Sequence, residues 1–189
     1  NTALVANRGP DILDVRHSPT LPRAGEPIVV TARVLDNDGV ASVTLHHRVE
    51  GGSAFAAVPM VDDGSGDDEL AGDQIYTFAI TGASAGTVRA FWIEASDGVA
   101  STRFPTALEP SAEVPERTCL VRVGDTQVAS RLANYRIWMS NDVLSAFRSR
   151  ASLSNELLDC TFVYNNTDVF YNCGIRLRGS PFIRPGSGE

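Results

Sequence analysis

Residues 27–49, PIVVTARVLDNDGVASVTLHHRV, contain the strongest indication of the fold. Pro27 precedes eight β-prone residues, Ile28 to Leu35, and the following Asp36-Asn37-Asp38-Gly39 is typical of a tight turn. From Val40 to Val49 apolar and polar residues alternate, as they do in a strand with one buried face. The stretch therefore predicts two strands that pair as a hairpin.

Short β-prone segments continue on both sides of this stretch and are separated by turn residues. Between residues 11 and 104 they add up to about seven strands, a number and spacing typical of an immunoglobulin-like or fibronectin type III-like sandwich. Residues 1–10 form an N-terminal extension. The predicted fold class is mainly β, with an immunoglobulin-like β-sandwich over 11–104 followed by a small α+β segment. The other candidate strands are 12–15, 55–60, 75–80, 88–95 and 99–104.

Residues 105–116 contain three prolines and three glutamates, which predicts a stiff linker before a second module over 117–189. In that module residues 119–123 and 135–139 have the composition of strands. Ser140 then provides an N-cap for a helix that extends to about Arg150. The sequence thus predicts two modules with a boundary near residue 117.

A second hairpin is predicted where 157–164 and 169–175 flank Asn165-Asn166-Thr167-Asp168. A two-residue loop of Asn166 and Thr167 places Cys160 opposite Cys173, at a separation compatible with a disulfide. A one-residue change in the turn would place the two sulfurs on opposite faces and leave two buried thiols. Both alternatives are open at this stage. The cysteine spacing does not fit a zinc site.

Charge is distributed unevenly along the chain. Residues 1–116 carry 7 arginines and 17 acids, a net charge of −10, whereas residues 117–189 carry 9 arginines and 6 acids, a net charge of +3. The acidic half argues against nucleic-acid binding, which requires clustered basic residues. The chain has no lysine, so it lacks a Schiff-base or phosphate-loop lysine. No apolar run approaches the roughly 20 residues that span a bilayer.

The densest group of acidic residues lies in 62–73 and suggests a calcium site. Calcium binds six to eight oxygen atoms from flexible acidic loops, and the glycines here allow carbonyl groups to turn inward. The spacing differs from that of an EF-hand. In the alternative reading, this is a solvated loop whose aspartates stabilise turns. The candidate ligands are Asp62, Asp63, Asp67, Asp68 and Asp73.

The C-terminal part resembles the CotH family of secreted, kinase-like proteins. The resemblance lies in Tyr135-Arg136-Ile137-Trp138-Met139, in 160–165 and in Gly174-Ile175-Arg176-Leu177-Arg178-Gly179-Ser180-Pro181. The preceding sandwich is similar to the module found before such regions in bacterial surface proteins, through Pro22-x-x-Gly25-Glu26-Pro27, Asp62-Asp63-Gly64 and 72–76. Gln74 occupies a position where that module usually has glycine.

The resemblance implies a divergent kinase-like fold that uses ATP and Mg²⁺ to phosphorylate protein serines, with spore-coat proteins as the substrate class. The catalytic aspartates of the family are expected after Glu189, so no catalytic residue is assigned. Arg176, Arg178, Gly179 and Ser180 are the candidate nucleotide-binding residues, because arginines bind phosphate and glycine permits close approach. Alternatively, the two arginines are the exposed face of a strand.

Two functions are therefore expected. In the first, the chain is a non-catalytic part of a secreted or surface bacterial protein, and its β-sandwich leads into a kinase-like domain. In the second, it is a purely structural or adhesive module, stabilised by calcium. Both place the chain outside the cell or at its surface, with other domains of the same protein or surface proteins as partners.

Overall fold

The chain folds mainly into antiparallel β-strands, in a computed structural model that describes residues 7–107, 115–151 and 154–178. The predicted mainly β fold class is confirmed, and the single helix of the described ranges is short. No helix there has the length and apolarity needed to cross a membrane. The elements are β1 Asp11–Ser18, β2 Ile28–Leu35, β3 Ser42–Val49, β4 Ala56–Pro59, β5 Ile75–Ile80, β6 Val88–Ser96, β7 Ser101–Phe104, β8 Cys119–Arg122, β9 Tyr135–Trp138, α1 Asn141–Ser149, β10 Leu158–Tyr164 and β11 Asp168–Ile175.

The strands form three sheets. The first has the order β1-β2-β5, the second β4-β3-β6-β7 with β8 also paired to β6, and the third β11-β10-β9. The first two sheets share one core, because alternate apolar residues of β2 face those of β3 and β6. The buried residues of these three strands are Ile28, Val30, Ala32, Val34, Val43, Leu45, Phe91, Ile93 and Ala95.

The predicted hairpin between β2 and β3 is wrong. β2 pairs with β1 and β5, whereas β3 pairs with β4 and β6. Residues 36–41 connect the two sheets rather than two neighbouring strands. Six residues can bridge the roughly 10 Å between packed sheets. The crossing lets both strands bury their apolar faces in the same core.

β8 belongs to the second sheet, although the sequence placed it in the second module. It pairs with the first half of β6, from Val88 to Phe91, and β7 pairs with the second half. Arg103 of β7 contacts the segment that precedes β8. Its Nη1 lies 2.7 Å from Glu116 Oε1, and its Nη2 donates to the Arg117 carbonyl. The boundary predicted near 117 therefore precedes a strand of this sheet. Residues 108–114 of the predicted linker lie outside the described ranges.

The third sheet packs along β8 of the second sheet, with most of its contacts on the face that points away from the shared core, while Tyr171 of β11 packs against the shared core itself. On the outer face, Ala90 and Leu120 contact Trp138 and Val163. Two hydrogen bonds join the elements directly: Thr118 N donates to Asp159 Oδ2 at 3.1 Å, and Leu120 N donates to Thr161 Oγ1 at 3.0 Å. The packing and the hydrogen bonds together attach the third sheet along β8.

The predicted helix is confirmed as α1. Ser140 is its N-cap and accepts a hydrogen bond from Val143 N, while Arg148 lies in the last turn. Val143 and Ala146 pack on Leu158 of β10. The helix therefore covers one end of the third sheet, on the face opposite the second sheet.

The second hairpin has a different turn from the one predicted. Tyr164 pairs with Asp168, so the loop contains three residues rather than two. Between the pairs Phe162–Phe170 and Cys160–Cys173, β11 has one residue more than β10, and this bulge, in which Asn172 has φ 54°, shifts the register by one residue in the opposite sense. The two shifts cancel. Cys160 is consequently opposite Cys173, as the sequence predicted.

Candidate functional site

The acidic loop between β4 and β5 brings three of its five candidate ligands together. One carboxylate oxygen from each of Asp62, Asp68 and Asp73 lies within 4.8 Å of the other two. Asp62 organises the loop by accepting hydrogen bonds from three consecutive backbone groups, Gly72 N at 2.7 Å, Asp73 N at 3.2 Å and Gln74 N at 2.9 Å. The loop thus converges on this carboxylate.

Asp68 is the buried member of the group, with 6% of its surface exposed. Its Oδ2 accepts from Gly64 N at 2.6 Å, and its Oδ1 lies 3.5 Å from Thr77 Oγ1 on β5. Gly64 has φ 69°, and a Cβ there would come within 2.9 Å of Ala71 N. The close approach and the positive φ both favour glycine at this position.

Asp63 and Asp67 do not join the group. Asp63 accepts from Ser65 N and Ser65 Oγ, and the hydroxyl donor is the main reason that the pKa of this exposed carboxyl lies below its usual value. Asp67 lies on the wall of a surface cavity of about 530 Å³, which Asp68 and Asp73 also line. The predicted turn-stabilising role is therefore seen at Asp62 and Asp63, while Asp62, Asp68 and Asp73 remain able to offer oxygen atoms to a hard cation.

The candidate nucleotide-binding residues follow the last strand. Arg176 and Arg178 are exposed, and Arg176 Nη1 donates to Asn155 Oδ1 at 3.0 Å. Ile175, the last residue of β11, packs with the cluster under α1. Gly179 and Ser180 lie outside the described residues. The two arginines are exposed, as in the alternative reading, but they follow β11 and do not lie on a strand, and contact with a phosphate stays a prediction.

The cysteines are present as three thiols. Cys160 is buried, and burial, followed by the neighbouring Cys173 and Asp159, raises its pKa to about 12. Cys173 is half-buried, and burial is also the main reason that its pKa is raised. Cys119 is buried in the shared core, where burial raises its pKa well above the usual value. Cys160 and Cys173 are cross-strand partners, and a disulfide between them stays a prediction.

Two buried ionisable groups were missed by sequence reasoning. His17 on β1 is 7% exposed; its Nδ1 is hydrogen-bonded to the hydroxyl of Tyr171, and its Nε2 lies 3.1 Å from the Thr20 carbonyl. Burial lowers its pKa to about 4, against a smaller opposing effect of the Thr20 contact. A single histidine in a short strand gives no local signal of such a partner, because Tyr171 lies 154 residues away.

Asp159 is the second of these groups and lies between the second and third sheets. Its Oδ2 accepts from Thr118 N, whereas its Oδ1 is buried without a hydrogen-bond partner among the described residues. Burial raises its pKa to about 6, and the Thr118 hydrogen bond and Arg117 oppose the effect. The alternation of Asp159 with Thr161 and Val163 along β10 was the only available signal that it points inward.

Comparisons with protein-family models and with curated proteins give no match for this chain.

Proposed function

We propose that the described parts of residues 7–178 form a non-catalytic β scaffold of a secreted or cell-surface bacterial protein, in which the third sheet and the first two sheets hold one another in a fixed arrangement. The observation that carries the proposal is the position of Tyr171. This β11 side chain packs against the core shared by the first two sheets and contacts Phe91, with ring centroids 5.4 Å apart. A spacer followed by an independent module would not require such a contact.

In a longer protein, this scaffold would lead into a kinase-like domain that transfers phosphate from ATP to protein serines. The support is the resemblance of residues 135–139 and 174–181 to the CotH family. The direct test is phosphate transfer by a longer protein that contains residues 1–189 and the sequence that follows them. Transfer should be lost when acidic residues of the following sequence are replaced, and failure of the longer protein to bind ATP with Mg²⁺ would contradict the kinase assignment.

The second candidate function is a structural or adhesive surface module stabilised by calcium. Asp62, Asp68 and Asp73 favour it, because one carboxylate oxygen of each lies within 4.8 Å of the other two, a separation at which one bound cation can contact all three and offset their mutual repulsion. The expected result is a higher thermal midpoint in calcium chloride than in a chelator. Asp68→Asn should reduce this difference. Asp11→Asn, at an exposed aspartate away from the loop, should retain it.

The number of free thiols provides an independent test of the proposed extracellular location. In an oxidising compartment we propose that Cys160 and Cys173 form a disulfide, which leaves buried Cys119 as the remaining thiol. Protein isolated without reductant and then denatured should therefore contain one titratable thiol. Three titratable thiols would contradict both the bridge and this support for secretion.

A further inference from the structure

The surface cavity of about 530 Å³ beside the acidic loop is a cleft on the outer face of the first sheet. Val29 of β2 alternates with buried core residues and lines the floor of the cleft, together with Ile75 and Thr77 of β5. One wall is the loop of residues 62–73. The other wall is β1, which contributes Arg16. The loop and two neighbouring strands thus enclose a space that the calcium proposal does not fill.

The lining of the cleft carries a net negative charge of −3. It contains two arginines, Arg16 and Arg33, and five acids, Asp14, Asp67, Asp68, Glu69 and Asp73. Arg33 Nε lies 3.6 Å from Asp14 Oδ2, so these two charges largely offset each other. The other four acids all belong to the loop. A positively charged ligand is therefore the one that fits the loop side of the cleft.

Asp68 provides a second observation that indicates a cation in the cleft. The residue is 6% exposed and lines the cleft, and its Oδ2 accepts from Gly64 N at 2.6 Å. Its Oδ1, in contrast, has among the described residues only the Thr77 hydroxyl at 3.5 Å, whereas a normal O–H···O hydrogen bond measures about 2.5–3.0 Å. A buried carboxylate oxygen with so weak a donor is stabilised by a cation beside it.

The floor of the cleft is partly apolar, which favours an organic cation over a metal ion. Val29 and Ile75 are half-buried there, and the aliphatic part of a basic side chain can pack on such residues while its charged end bonds a carboxylate. One carboxylate oxygen of Asp68 lies within 4.8 Å of one of Asp73. A guanidinium group presents its N–H donors in a planar fork and can bond both carboxylates at once.

We propose that the cleft binds an arginine side chain of a partner protein, with the guanidinium group on Asp68 and Asp73 and the aliphatic part on Val29 and Ile75. The inference rests on the second candidate function, the structural or adhesive module, and names the type of partner that the module would hold. Calcium and the guanidinium group use the same carboxylates and should compete. A second copy of the chain is a poorer source of the arginine, because each copy carries a net charge of −7.

The test titrates the whole chain, in a chelator, with a short peptide of glycine and serine that has one central arginine. Nuclear magnetic resonance should show shifts confined to the backbone amides around the cleft. The same peptide with citrulline, which has the shape of arginine without its charge, should not bind. Asp68→Asn should weaken binding at least about tenfold. Asp38→Asn is the matched control, because it removes the same charge from an exposed turn outside the cleft and should leave binding unchanged.

A second variant, Asp67→Asn with Glu69→Gln, changes two exposed side chains of the same wall and should also weaken binding if Asp68→Asn fails to fold. Equal binding of the citrulline peptide, no binding by the wild type, or unchanged binding by the variants would each overturn the proposal.

The thermal midpoint in calcium chloride and in a chelator separates this inference from the calcium proposal. A midpoint that rises with calcium, in a protein that does not bind the arginine peptide, would overturn the inference and leave the calcium-stabilised module standing. Peptide binding without any effect of calcium on the midpoint would support the inference and contradict the role of calcium. Sedimentation tests the other source of arginine: a wild-type dimer that Asp68→Asn converts to monomer would assign the cleft to a second copy and overturn the proposed partner.

Discussion

The hydroxyl of Tyr171 on the last strand is hydrogen-bonded to Nδ1 of His17 on the first strand. Both rings are in an apolar environment: Tyr171 packs against the shared core, and the His17 ring lies 6.5 Å from that of Trp138. Further contacts support the same junction, including Thr20 Oγ1 to the Thr167 carbonyl at 3.0 Å. The two ends of the described chain therefore stabilise each other.

Replacing Tyr171 should destabilise the whole protein rather than the third sheet alone. Tyr171→Phe leaves a nitrogen of His17 without its partner, and it should cost about 1–2 kcal/mol in the free energy of unfolding. Tyr171→Ala also leaves a cavity next to Phe91 and should cost about 3–5 kcal/mol. Urea denaturation measures both. Phe170→Ala is the control on the adjacent, half-exposed side chain, and a loss there equal to that of Tyr171→Ala would contradict the packing of Tyr171 against the core.

His17 should make the protein less stable as the pH falls. Its pKa is about 4 in the folded chain and 6.5 in the unfolded chain, so the unfolded state binds the proton first. The contribution is fully present above pH 6.5 and is lost between pH 6.5 and pH 4, on the order of 3 kcal/mol. Stability measured across this window should fall less steeply in His17→Gln than in the wild type. Parallel pH profiles would show that the buried imidazole is not the cause.

Asp159 should make the protein less stable as the pH rises, which is the opposite of the effect of His17. Burial raises its folded pKa to about 6 from 3.8, so the folded state binds the proton more tightly, and stability from this group is lost as the pH rises from 3.8 through 6. Asp159→Asn removes the charge. The variant should therefore gain stability relative to the wild type between about pH 4 and pH 7, on the order of 3 kcal/mol. A difference between the two proteins that does not change with pH would contradict the raised pKa.

Gln74 has a backbone conformation that favours glycine. Its φ is 69°, and its backbone N–H is one of the three that donate to Asp62. Gln74→Gly keeps this hydrogen bond and removes the strain of a side chain at positive φ, so it should stabilise the protein by about 0.5–1 kcal/mol. Gln74→Ala is the control because it retains the strain. Equal stability of the two variants in thermal denaturation would refute this explanation.

The strands themselves could be predicted well from the sequence, because alternation and β propensity are local properties. Ile75–Ile80 and the strand from Val88 were predicted within one residue. Their pairing was harder to predict. The connection over residues 36–41 is long enough either to close a hairpin or to cross between sheets, and only the shared core selects the crossing. β8 has four residues and no local signal of the sheet that it joins.

The same holds for the candidate sites: features that depend on nearby residues could be predicted, and features that depend on the path of a loop could not. The register of Cys160 and Cys173 was predicted correctly, although the turn was one residue longer than expected and the bulge at Asn172 restored the pairing. Of the five aspartates, only Asp62, Asp68 and Asp73 converge, because the path of the loop depends on which backbone groups Asp62 binds. Sequence spacing does not contain that information.

Unfolding followed at two positions tests most directly whether the three sheets behave as one body. The chain contains two tryptophans, Trp92 in the second sheet and Trp138 in the third. Trp138→Phe and Trp92→Phe each leave one reporter. In each variant, tryptophan fluorescence and far-ultraviolet circular dichroism should give the same urea midpoint. A Trp138 transition at clearly lower urea than the loss of β structure would show that the third sheet unfolds independently and would contradict the scaffold proposal.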